Sequence, residues 1–166
     1  MKTLVLAALL VITGAAGGLV VATRSRAGTA TELSYVVHRT NLAFVTTAAG
    51  VTPLPTGPLV PGDRILARDD LLQNGSVIGY DSGVCTVTFD NNVVCDYMET
   101  LTNQGDIHVA WTFQWPASAG IDGPSVFDGI IDGGTLAHRN AHGSFHAVRL
   151  PDGNLQITGT ISDSSP

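Results

Sequence analysis

Asp69 lies in a run, Arg64–Leu72, that reads as a β-strand bounded by turns. A carboxyl turned into an apolar enclosure is pushed toward its neutral form, and can then give or take a proton near neutral pH. As a strand-end pair with Asp70 in solvent, the same residue would be chemically ordinary. His38 is the second candidate for proton transfer, because imidazole titrates near neutrality. Tyr35 precedes it by three residues, so strand alternation puts the two on opposite faces and at most one points inward. Asp69 and His38 are therefore the candidate catalytic residues.

The segment Asp106–Trp115 supplies a surface on which such groups could work. Its alternation places Ile107, Val109, Trp111, Phe113 and Trp115 on one face, with His108, Ala110, Thr112 and Gln114 on the other. One wall is therefore aromatic. It reads either as packed core or subunit interface, or as a face on which an apolar ligand stacks. Tyr35, Trp111, Phe113 and Trp115 are the ligand-binding candidates.

His138, His142 and His146 are spaced four apart. On a strand that spacing separates neighbours by about 13 Å, too far for three ligands on one ion, so no metal site is expected. No phosphate-binding glycine loop, Gly-x-Ser-x-Gly elbow or Cys-x-x-Cys pair occurs, and no cofactor is expected. Cys85 and Cys95 flank the turn-like Asp90-Asn91-Asn92. A turn symmetric about Asp90 sets them opposite each other across an antiparallel pair, where a disulfide fits. A free Cys85 thiol is the alternative.

The elements that must position these residues are strands. Only two glutamates occur, the single lysine is Lys2, and Asp, Asn, Gly, Thr and Val dominate beyond residue 30. Runs bounded by turn residues predict strands over Leu33–Thr46, Arg64–Leu72, Ser76–Phe89, Val93–Leu101, Asp106–Gln114, Val126–Asp132, Ala141–Leu150 and Leu155–Ser162. Eight short strands joined mostly by tight turns predict an all-β fold, an antiparallel up-and-down meander closed into a barrel so that no edge is left open. Eight strands leave an interior that is filled with side chains or holds one small ligand. The insertion Ala48–Pro61 carries four prolines; it is expected to form no strand and to wrap across one barrel end. Gly133-Gly134 reads as a corner between strands, and Gly143 as a further structural glycine.

Residues 1–30 combine Lys2, the apolar run Leu4–Ala22 and a small-residue stretch at Ala27–Ala30, the pattern of a secretory signal peptide. A retained N-terminal membrane anchor facing outside is the alternative. Without residues 1–30 the formal charge moves from −6 to −9, because Lys2, Arg24 and Arg26 leave and no acid does. Such a surface repels phosphate backbones, so nucleic acid is not an expected partner. Residues 31–166 are expected to be one secreted domain, and the export segment suits a disulfide.

Pro61-Gly62-Asp63, Asp69-Asp70-Leu71, Ile78-Gly79, Gly83-Val84-Cys85, Gly133-Gly134 and Ala141-His142-Gly143 follow one another in an order that resembles the allene oxide cyclase and dirigent family of small β-barrels. The resemblance covers about Val60 to Ile161. It implies a barrel handling an apolar or phenolic small molecule and steering its cyclisation or coupling, as an isomerase-type enzyme or a stereocontrol protein. It also implies association into dimers or trimers. The chain departs from the family where plant cyclases carry a glutamate and an asparagine: Ser34–Arg39 has no carboxylate. Leu136 stands where the last corner glycine would be, and Phe113–Ala117 lacks the expected tyrosine. Only Asp69 and Cys85 carry over by position. A non-catalytic carrier of a lipophilic ligand, or a purely structural secreted barrel, is the alternative reading.

Overall fold

The computed structural model describes residues 30–55, 57–115 and 123–163. The expected export segment lies outside them apart from Ala30, which opens the first strand. Nine antiparallel strands follow: β1 (Ala30–Thr46), β2 (Gly50–Thr52), β3 (Arg64–Gln73), β4 (Ser76–Val87), β5 (Asn92–Leu101), β6 (Gly105–Gln114), β7 (Val126–Gly134), β8 (Ala141–Arg149) and β9 (Leu155–Asp163). Consecutive strands from β3 to β9 pair with each other, β3 pairs with β1, and β1 pairs with β9. That last pairing, Ala30↔Ser162 through Val37↔Leu155, closes an eight-stranded barrel. Among the described residues the only helical pieces are two 3-10 turns, Phe89–Asn91 and Leu136–His138. None of their helices is long and apolar enough to cross a membrane.

The eight predicted strands are the eight barrel strands. The ninth, β2, corrects the expectation for the proline-rich insertion: Gly50–Thr52 pairs with Phe44–Thr46. The prolines begin only at Pro53, so the three residues before them keep their N–H donors. The rest of the insertion is pinned by Asp63 of the Pro-Gly-Asp motif. Its carboxylate accepts from the Thr47 N–H at 2.8 Å and from the Val60 N–H at 2.9 Å. Burial pushes the Asp63 carboxyl up, but these backbone donors outweigh it and the net shift is downward.

Alternation sorts each strand into an inner and an outer set. Tyr35, Val37, Phe44, Leu71, Cys85, Val93, Cys95, Ile107, Val109, Ile131, Phe145, Ala147 and Ile157 are buried in a single core. In β1 the inner set is 35, 37 and 39, and then 42 and 44. The change of parity occurs at a β-bulge: Arg39 pairs with Asp69 and Asn41 with Arg68, leaving Thr40 as the extra residue.

Glycines inside the barrel make room for rings. A Cβ on Gly129 would lie 2.2 Å from Phe145 Cζ, and one on Gly83 would lie 2.3 Å from Tyr97 Cγ. Both aromatics sit directly opposite the glycine on the neighbouring strand. Of the glycines singled out from sequence, Gly134 and Gly143 lie against backbone carbonyls. A Cβ there would meet His138 O at 2.4 Å and Thr160 O at 2.0 Å, whereas at Gly133 the nearest atom is His108 Cβ at 3.7 Å.

Candidate functional site

One row of cross-strand neighbours runs through the lumen: Arg39 on β1 faces Asp69 on β3, Asp69 faces Asp81 on β4, and Asp81 faces Glu99 on β5. Directly opposed residues on one sheet face stand about 4.5 to 5.5 Å apart at Cβ. Asp69, Asp81 and Glu99 are each 5% exposed. Three carboxyls on adjacent strands therefore share a desolvated interior, with the Arg39 guanidinium at one end of their row.

Each acid is held differently. Asp69 Oδ1 accepts from the Thr40 N–H at 3.0 Å, so the bulge that resets the parity of β1 also supplies a donor to this carboxylate. Burial raises the Asp69 pKa, while the Thr40 N–H and the Arg39 charge oppose the rise. Asp81 Oδ1 accepts from the Asp69 N–H at 3.1 Å. Burial first, and then the negative charges of Asp69 and Glu99, push Asp81 up to about 8. Glu99 is raised by burial to about 7, against a hydrogen bond from Tyr35. The Tyr35 hydroxyl reaches both carboxylate oxygens of Glu99 at 2.6 Å, and burial next to that carboxylate pushes the phenol well above its ordinary value. Tyr97 is raised as well, by burial and then by the charges of Asp81 and Asp69. The row thus contains Asp69 beside Arg39, an Asp81 pushed up to about 8 and a Glu99 pushed up to about 7.

Above the acids lies the aromatic wall. Trp111 stacks on Phe127 with ring centroids 5.3 Å apart, meets Tyr97 at 4.7 Å and takes Phe145 edge-on at 6.0 Å. Phe113 and Trp115 continue the wall at 5.7 Å from each other. The rings line a cavity of about 90 Å³ together with the smaller side chains of Leu42, Ile65 and Ala67. Asp69, Asp81 and Glu99 line it, as do Arg39 and Arg149, and it reaches the barrel end where Trp115, Gly123 and Pro124 stand.

The structure therefore brings Asp69, Trp111, Phe113 and Trp115 together around one cavity. Tyr35 sits behind Glu99 and touches the site only through it. His38 is elsewhere: it is exposed, and its Nδ1 lies 3.0 Å from Asn154 Oδ1. Cys85 and Cys95 are directly paired and joined by a disulfide, and Cys85 also lines the cavity. His142 and His146 lie on the exposed face of β8, with His138 in the 3-10 turn before it. Among the described residues no three His, Cys, Asp or Glu side chains are grouped to hold a metal ion.

Asp81 and Glu99 were missed from sequence, yet a signal exists. In β5 the inner phase reads Val93, Cys95, Tyr97, Glu99, Leu101, and in β4 it reads Gly79, Asp81, Gly83, Cys85, Val87. A charge in the apolar phase of a strand is expensive unless it is neutralised or used. The glutamate sought on the first strand is absent there, while Glu99 on β5 reaches the first strand through Tyr35.

Comparison with family models and with curated proteins finds no match. Solved structures do match. A pyocyanin demethylase superposes with a TM-score of 0.63 at 19% identity, over 80% of this chain and 100% of that one. A pterocarpan synthase dirigent protein superposes at 0.61 and 14% identity, over 85% of this chain and 99% of that one. A heme-binding cyclase that catalyses a [4 + 2] cycloaddition gives 0.58 and 15% identity, over 84% of this chain and 68% of that one. At such identities the likeness establishes the architecture, and the chain has the closed antiparallel barrel fold of the allene oxide cyclase and dirigent kind.

Proposed function

We propose that the barrel takes a small, flat, largely apolar molecule into its lumen and steers its cyclisation or isomerisation by proton transfer. The observation that carries this reading is one cavity in which an aromatic wall faces three buried carboxyls of unequal proton affinity. A protonated acid and an ionised one on facing strands form a donor and acceptor pair, the arrangement that general acid–base chemistry needs. Asp81 is assigned the acid and Asp69, whose ionised form the Arg39 charge and the Thr40 N–H favour, the base. The stacked rings confine the substrate to one conformer, and confinement alone lowers a barrier by several kcal/mol. The demethylase, the dirigent protein and the cyclase are named for different small molecules or reactions, which supports ligand handling by this fold without choosing the ligand.

The test is incubation of the pure protein in D2O with a panel of planar phenolic and conjugated carbonyl compounds, read by mass spectrometry. The expected result is an isomeric product carrying solvent deuterium, with incorporation lost in Asp81→Asn and in Asp69→Asn. Retained compounds without isotope exchange in any case would replace catalysis with carriage of a lipophilic ligand.

A further inference from the structure

Six charged or hydroxyl-bearing side chains line the lumen cavity: Arg39, Asp69, Asp81, Tyr97, Glu99 and Arg149. Five of them have partners within the protein. Asp69 accepts from the Thr40 N–H and Asp81 from the Asp69 N–H. Glu99 accepts from the Tyr35 hydroxyl, Arg149 Nη1 donates to Gly153 O at 3.2 Å, and Arg39 directly opposes Asp69. Tyr97 differs. Its hydroxyl makes no hydrogen bond with any described residue, although the residue is only 8% exposed. A hydroxyl withdrawn from water without a partner costs free energy, and the cavity is where this one can find one. The fold also clamps the ring that carries it. Gly83 stands directly opposite Tyr97 on β4, and a Cβ there would lie 2.3 Å from Tyr97 Cγ. The Trp111 ring of β6 lies 4.7 Å from the same ring. A ring held between a strand backbone and an indole keeps its hydroxyl in one place, as a preorganised donor requires. Burial, and then the charges of Asp81 and Asp69, push this phenol up, so it keeps its proton and remains a donor.

We infer that the Tyr97 hydroxyl donates to an oxygen of the bound molecule, and that this oxygen is a carbonyl conjugated to a flat ring. The inference rests on the ligand-handling reading given above and narrows its ligand class. A hydroxyl on the ligand would be met by the carboxyls of the row, which accept hydrogen bonds, and would leave Tyr97 unused. A carbonyl has no proton to give them and takes the one that Tyr97 offers. With the ligand ring on Trp111 and Phe127, that bond fixes which way the carbonyl points. It also bears on the reaction. When Asp69 takes a proton from the carbon beside the carbonyl, the C–H pair forms the enolate double bond and the C=O π pair moves onto the oxygen held by Tyr97. Asp81 returns a proton to another carbon of the conjugated system, so product and substrate are isomers, and exchange with solvent resets the two acids. A donor aimed at that oxygen acts most strongly on the enolate.

The experiment is calorimetric titration with 2-acetylnaphthalene and with 2-isopropenylnaphthalene, in which a CH2 group replaces the carbonyl oxygen at nearly the same shape. Infrared difference spectra of the carbonyl-labelled ketone read the hydrogen bond at its stretch. In the parent the stretch should lie below its value in an apolar solvent. On Tyr97→Phe it should return toward that value, and the affinity of the ketone relative to the alkene should fall about fivefold or more. The alkene itself should bind both proteins alike. Tyr35→Phe, which removes the hydroxyl tied to Glu99, should leave the relative affinity in place. Both variants are checked for a cooperative melt. A stretch at its apolar-solvent value in the parent overturns the inference without any variant. A relative affinity unchanged by Tyr97→Phe gives the oxygen to the Trp111 indole or to an acid, and an equal loss in Tyr35→Phe gives it to Glu99. Each of these results overturns the inference and leaves the ligand-handling reading standing. Absence of binding by both probes overturns that reading and the inference with it.

Discussion

Two rows of cross-strand neighbours cross this barrel, one inside and one outside, and each sets a basic side chain next to a carboxyl. The inner row is Arg39, Asp69, Asp81 and Glu99. The outer row is Ser34, Thr158, His146 and Asp128, again directly opposed on adjacent strands. His146 Nδ1 lies 2.7 Å from Asp128 Oδ1, yet those side chains are 48% and 81% exposed. Water screens the outer pair, so close geometry there has little energetic consequence. The inner acids have no such screen, and each is shifted from its ordinary proton affinity. Parity along the strand, rather than residue type or spacing, decides which row has unusual chemistry.

The most severe way to break this contrast is to delete Thr40. That residue is the extra one in the β1 bulge, and its N–H donates to Asp69. Without it, either Tyr35, Val37 and Arg39 or Leu42 and Phe44 must turn outward while the other set stays in. Exposing part of the core while burying polar side chains costs more than about 4 kcal/mol, in the range that unfolds a marginal domain. The expected outcome is loss of soluble protein or of a cooperative melt. A deletion that folds with unchanged stability would show that the bulge does not set the parity of β1.

Asp81→Asn sharpens the comparison from inside. Asp81 has an ordinary pKa of 3.8 and a folded value of about 8, so between those values the folded chain keeps a proton that the unfolded chain has lost. Stability contributed by that proton is complete below 3.8 and declines as pH rises toward 8, by about 1.4 kcal/mol per pH unit for each such proton. Glu99 adds to the decline up to about 7. Denaturant melts from pH 4 to pH 8 should show stability falling with pH. Asp81→Asn should remove one proton's share of the slope and leave the variant more stable than the parent at pH 8. A parent whose stability rises across this range would mean that the acids are hydrated and the lumen is wet.

Gly129→Ala tests the aromatic wall at a smaller scale. The new methyl group would occupy the position of the Phe145 ring edge and press on Ala110 O at 2.9 Å. Overpacking of this kind costs about 1 to 3 kcal/mol. Because Phe145 packs on Trp111 and Phe127, ligand affinity should fall together with stability. Unchanged affinity would separate the wall from the binding site.

Much of this architecture was legible before any coordinates. Turn residues such as Asn74-Gly75, both at positive φ, mark the strand boundaries because few other residues accept that backbone. The facing of Cys85 and Cys95 was legible from the symmetry of the turn about Asp90, while a free Cys85 thiol stayed open until the disulfide was seen. The aromatic face of β6 followed from alternation, and Asp69 was found with it. For His38, alternation said only that it and Tyr35 lie on opposite faces; the buried Tyr35 and Val37 set the inner phase of β1 and leave His38 outside. Asp81 and Glu99 stayed hidden because a single acid within a strand looks ordinary until its phase is compared with the apolar residues around it. The row exists only across strands, through registers that no local pattern contains.

The smallest expected effect belongs to the outer row, and it is the control for the rest. His146→Ala removes the partner of Asp128 on a face open to solvent. Exposed ion pairs contribute roughly 0 to 1 kcal/mol, so denaturant midpoints at pH 6 and pH 8 should move little and by similar amounts. Isotope exchange and ligand affinity should stay at parental values, because no atom of His146 lines the lumen cavity. A loss of turnover in this variant would move the chemistry from the inside of the barrel to its surface. It would also make the exposed His–Asp pair, rather than the buried acids, the residues to study.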